Sequence, residues 1–201
     1  MKVCLAVMGI DWQLIRELVA VGGTIGALII GVLGLSTWRR QLQGTSEYEV
    51  AKNALLATYH VRDAIQAARS PMLYLRKDEV EAGRRLEEEQ RIYEERMKRV
   101  YEEWAKLRTL ALESRVIWGE EAEQLFEPIS KLISELRRAI WLHFWLKGAY
   151  AVPGATVDDS PERVEANNQV VYRLDDDDEF STKLNGATDA IEAFFQRRIR
   201  G

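Results

Sequence analysis

Cysteine, histidine, proline and an excess of basic charge are all scarce in this chain of 201 residues. Cys4 is the only cysteine, which excludes an intrachain disulfide and a cysteine-built zinc site. Lys and Arg number 28 against 32 Asp and Glu, a net charge of -4, whereas general nucleic-acid-binding surfaces are usually basic. Four prolines, 30% charged and 47% apolar residues suit a helical protein with a substantial core. No phosphate-binding loop, dinucleotide fingerprint, zinc spacing or internal repeat is present, so no cofactor and no metal are expected. The acidic run at residues 175–179 lacks the alternating spacing of a calcium loop, and reads as a solvated loop or helix start.

What the sequence does contain begins with "LVAVGGTIGALIIGVLGLSTW", residues 18–38, which carry no charge. At 1.5 Å per residue this run is roughly 31 Å long, about the thickness of the bilayer hydrocarbon core. It is too long for a signal peptide, and acidic Asp11 and Glu17 precede it. Trp38 closes it, Arg39 and Arg40 follow, and all three suit the membrane interface. Arg39, Arg40 and Lys52 outweigh Lys2 and Arg16, which puts the C-terminal part on the cytoplasmic side. Gly22 and Gly26 form one small-residue row, and Gly23, Ala27 and Gly31 a second, as in membrane helices that associate closely. The expected organisation is a short segment 1–17, a transmembrane helix 18–38, a juxtamembrane linker 39–45 and a helical domain 46–201.

Within that domain, residues 47–69 have helical apolar spacing up to Pro71, with Ser46 and Glu49 placed as a capping box. A dense run of alternating charge follows. Leu86, Tyr93, Met97, Val100, Trp104, Leu107 and Ala111 thread through it at three-and-four spacing, predicting one long helix with a packed seam. A further helix is expected over 119–147, kinked at Pro128, with a stripe of Ile129, Leu132, Ile133, Leu136, Ile140, His143 and Phe144. Its end, "AIWLHFWL", is apolar all round and expected to be buried on several sides. Residues 148–161 read as a loop, and "ERVEANNQVVYRL" as either a short helix or an extended piece. A last helix near 181–199 turns Leu184, Ala187, Ile191, Phe194 and Phe195 inward.

Arg138 and His143, in "RRAIWLH", supply the one arrangement with catalytic potential. A histidine near neutral pKa moves protons, and an arginine stabilises phosphate charge. An Arg-x4-His late in a helix of an all-α bundle resembles the HEPN superfamily, whose nuclease members cleave RNA without metal, usually as dimers. Ala139 stands where those nucleases commonly have a polar residue. Five residues also turn a helix by about 500°, leaving Arg138 and His143 roughly 140° apart. The residues themselves read first as a satisfied core histidine, next as an interface in a HEPN-like fold, and last as an active ribonuclease.

One membrane helix followed by a HEPN-like bundle resembles the small membrane accessory proteins of type VI-B CRISPR systems. That resemblance implies a homo-oligomeric, gated pore of the bacterial inner membrane serving antiviral defence. Its implied partners are further copies of itself, the lipid bilayer and a CRISPR effector or RNA-linked signal, with no small-molecule cofactor. A membrane-tethered ribonuclease and a passive scaffold that recruits another protein are the alternatives.

Overall fold

The computed structural model describes residues 12–150, 152, 154, 156–175 and 177–200, and all its regular elements are helices. Residues 1–11 of the N-terminal segment, with Lys2 and Cys4, lie outside the described residues. The helices are α1 (Trp12–Ala68), α2 (Lys77–Glu81), α3 (Arg85–Trp118), α4 (Glu120–Gln124), α5 (Glu127–Leu146), α6 (Pro161–Val171) and α7 (Glu179–Arg200). The chain divides into two compact units, residues 1–46 and 47–201.

The linker expected at 39–45 is helical, because α1 runs unbroken through it. Leu42 and the glutamines beside it are good helix formers, and the single Gly44 opposes them by only about 1 kcal/mol. The Ser46–Glu49 capping box is therefore absent, since a cap needs a helix end. Thr45 instead donates its hydroxyl to the Gln41 carbonyl, and Glu49 pairs with Lys52.

In the first unit the apolar stretch of α1 has a mean hydropathy of 2.1, with none of it buried. This is a helix long and apolar enough to cross a membrane. In the second unit α1 presents Ala51, Ala54, Ala57, Val61, Ala64, Ile65 and Ala68 to the core. The helix α3 answers with Tyr93, Met97, Val100, Leu107 and Ala111 from the expected seam, while Leu86 and Trp104 are half-buried against it. The stripes expected on α5 and α7 are also buried, and each Leu, Ile or Phe in them contributes roughly 1.5–3 kcal/mol.

The expected helix 119–147 is two helices. Gly119, at φ 87, ends α3 in a conformation that only glycine adopts without strain, and α4 starts directly after it. Pro128 does not kink a helix interior; it sits in the first turn of α5, where its missing N–H costs nothing. The ambiguous segment near 162–174 resolves into α6, again opened by a proline. The end of α5 is less enclosed than its composition suggests. Trp141 is 50% exposed because the neighbours of α5 cover only one side of it.

Candidate functional site

Two groups of residues carry the functional question, one in each unit. In the first unit, adding a Cβ at Gly22, Gly23, Gly26 or Gly31 would meet nothing within 4 Å. The small-residue rows, with Ala27 exposed among them, are therefore open among the described residues. Trp38, Arg39 and Arg40 are exposed at the end of the apolar run. The polar side chains in that run satisfy themselves locally. Thr24 donates to the Ala20 carbonyl, and Ser36 and Thr37 both donate to that of Leu33.

In the second unit the predicted pair is separated. Arg138 is exposed on α5, whereas His143 is 7% exposed and faces the core, as the angular offset requires. Tyr93 from α3 and Phe144 enclose its ring, with centroids 6.0 and 5.3 Å away. The Tyr172 ring stands edge-on at 5.6 Å, and its hydroxyl lies 3.4 Å from Nε2. Burial pushes the His143 imidazole down to about 4, and the Lys147 ammonium adds to this; Glu89 opposes both. The imidazole is neutral at pH 7, shut away from the exposed arginine, and accepts from or donates to one phenol. That environment suits a core histidine.

Around it the polar groups are paired, with one exception. Burial pushes the Glu89 carboxyl up, but Lys147 and Arg85 outweigh this and hold it below the usual carboxylate range. Asn167 of α6 donates to the Ala139 carbonyl of α5 at 3.1 Å. The Tyr93 hydroxyl is the one buried side-chain polar atom among the described residues with no hydrogen-bond partner. Burial raises its pKa, and the nearby Tyr172 adds to the rise.

The most elaborate polar centre is one that sequence reasoning missed. Arg69, wholly buried just beyond α1, donates to the carbonyls of Gln169, Val170 and Tyr172 at 2.8, 2.8 and 3.0 Å. It also donates to Ser181 Oγ at 2.9 Å and stands over the Phe180 ring, 4.4 Å from its centroid. It thus caps the last carbonyls of α6, which have no partner in their own helix. The anion that balances it is Asp178, from the acidic run. Asp178 also accepts from the Ser181 N–H at 2.8 Å and so caps α7. Burial raises the Asp178 carboxyl, but the Ser181 amide and Arg69 hold it below its ordinary value. The run is therefore a helix start at Asp178, while Asp175 and Asp177 are exposed. No group of three or more potential metal ligands occurs among the described residues. Only the "ARSP" breaker context hinted that Arg69 ends a helix, and nothing local to it signals the partners.

No family model matches the chain, and neither the curated proteins nor the solved structures include a match.

Proposed function

We propose that this chain is a membrane-anchored homo-oligomer whose apolar helix spans the bilayer, with the helical domain on the cytoplasmic side. The observation that carries this reading is the unpacked apolar segment of α1, with its glycine rows open. In water such a surface is costly, at about 25 cal/mol per Å² of apolar area; lipid removes that cost and a second span fills the glycine rows. The further step to a gated pore of the bacterial inner membrane, acting in antiviral defence, rests on the resemblance of element order and of Arg138 and His143 to CRISPR-linked HEPN-like accessory proteins. A CRISPR effector or RNA-linked signal as gating partner belongs to the same step.

A second reading, a scaffold without a conduit, is favoured by one observation. The hydroxyls of Thr24, Ser36 and Thr37 are turned to their own helix, which supplies no polar stripe to line a channel. The ribonuclease reading draws nothing from the separated Arg138 and His143.

The experiment combines mass measurement in detergent with dye release from vesicles that hold the purified chain. An oligomer that releases dye supports the pore; an oligomer in tight vesicles supports the scaffold. A monomer that partitions into the aqueous phase removes the whole reading. Protease protection in oriented vesicles tests the side on which residues 47–201 lie.

A further inference from the structure

Between α1 and α2 the chain runs through residues 70–76 without helix, and this segment is held at both ends. At the first end, Arg96 of α3 donates to the carbonyls of Ser70, at 2.7 Å, and of Met72. At the second, the Arg76 N–H and guanidinium both bond Glu88, whose carboxylate is buried. The Arg91 and Arg76 guanidiniums hold that carboxyl well below the usual range, so the anchor stays charged at all ordinary pH. Between these anchors, the backbone N–H and C=O groups of Leu73, Tyr74 and Leu75 make no hydrogen bond among the described residues.

The side chains of this stretch alternate as in a strand. Leu73 and Leu75 are half-buried, the former against the core, while Met72 and Tyr74 point outward and Tyr74 is 81% exposed. Arg76, which ends it, has extended backbone at φ -69 and ψ 129. Unpaired backbone that is pinned at both ends and alternates in exposure is what an incoming strand can add to. Because the anchors already fix it, binding costs little ordering on this side.

Beside the segment lies a cleft of about 700 Å³, floored by Ala64, Ala67 and Ala68 and walled by Arg91, Arg96 and Arg99. Their charges are not equally committed. Arg91 is neutralised by Glu88 and Glu95. Arg96 is aimed at neutral carbonyls, and Arg99 makes no ion pair among the described residues. Glu95 also lines the cleft, where it pairs with Arg91, and the charge of Arg99 is felt by Glu103. Neither Arg96 nor Arg99 makes a direct ion pair among the described residues, so the cleft carries an excess of positive charge beside an apolar floor and two exposed apolar side chains.

We propose that residues 72–75 and this cleft form a docking site for an extended acidic peptide segment of another protein. The peptide pairs its backbone with Leu73–Leu75, sets alternate apolar side chains beside Met72 and Tyr74, and places its carboxylates against Arg96 and Arg99. This site is independent of the membrane reading, since it uses only the second unit.

The test is an array of random-sequence short peptides probed with the full-length chain in detergent, repeated with Arg99→Glu and with Tyr74→Ala. Both substituted side chains are exposed, so the fold tolerates their loss. Retained peptides should be enriched in alternating Asp or Glu and apolar residues. Arg99→Glu should weaken them about ten-fold, and raised salt should weaken them too. The same peptides N-methylated at alternate amides should not bind, because they cannot donate to a strand edge. Retained peptides without acidic enrichment, equal binding by Arg99→Glu, or unchanged binding after N-methylation would each overturn the proposal. So would an array that retains nothing while Arg99→Glu lowers the oligomer mass, which would make the cleft a contact between copies.

Discussion

Arg69 and Asp178 stand 109 positions apart in the chain and meet at 2.9 Å, the arginine with no exposed surface at all. This pair, not the arginine and histidine of α5, is the polar hub of the helical domain. It ties the end of α1 to the last turn of α6 and the first turn of α7 at once.

Replacing Arg69 by Ala takes the donor from three carbonyls and the Ser181 hydroxyl oxygen, and leaves the half-buried Asp178 carboxylate without its counter-charge, held by Ser181 alone. Stability of the domain should fall by about 3–5 kcal/mol, as when one partner of a buried charge pair is removed. Asp178→Asn keeps an acceptor for the Ser181 amide and should cost less, about 1–3 kcal/mol. Urea denaturation followed by circular dichroism ranks the two; a larger loss in Asp178→Asn would contradict the hub assignment.

The pH dependence follows from His143. Its folded pKa, about 4, is below the ordinary value, so its contribution to stability is complete above the unfolded pKa, near 6.5. As pH falls from 6.5 towards 4 the unfolded state takes up a proton that the folded state refuses, and stability falls by up to about 3 kcal/mol. His143→Phe should flatten this window while leaving the carboxylate transitions lower down. Thermal melts of both proteins between these pH values provide the comparison.

Arg138→Ala and His143→Ala should differ sharply. The exposed arginine should change stability by no more than about 0.5 kcal/mol, whereas loss of the buried ring leaves a cavity and costs about 2–4 kcal/mol. Purified wild type should not cleave RNA. Metal-independent cleavage, abolished by both substitutions in proteins that stay folded, would restore the ribonuclease.

Gly22→Leu with Gly26→Leu should lower the oligomer mass in detergent without altering the melting of the helical domain, because both glycines lie in the first unit and a Cβ at either meets nothing within 4 Å among the described residues. An unchanged mass would move the self-association elsewhere.

Periodicity made the helices legible. The seam through Tyr93, Met97, Val100, Leu107 and Ala111 was written in the spacing, as were the stripes of α5 and α7. Punctuation was harder to read. Ser46 and Glu49 carried a helix-start signature inside a helix that does not stop, since local capping cannot end a run that its neighbours propagate. Gly119 and Pro128 were visible, yet their joint effect, a break with a short helix between, depends on the φ of one and the first-turn position of the other. The site was legible only where it is local. The angle between Arg138 and His143 follows from helix geometry, but Arg69 gains its meaning from residues about a hundred positions away.

The alanines that α1 turns to the core have a consequence for variation. Ala51, Ala54, Ala57, Ala64 and Ala68 lose no rotamer freedom on folding, and each buries little area. What holds that face is dispersion between these short side chains and the core cluster around them, which falls off steeply with distance. One added methylene therefore acts on the whole helix as a wedge, lifting neighbours that were themselves unchanged. Substitutions to larger residues along this face should be the least tolerated in the domain, although they add hydrophobicity.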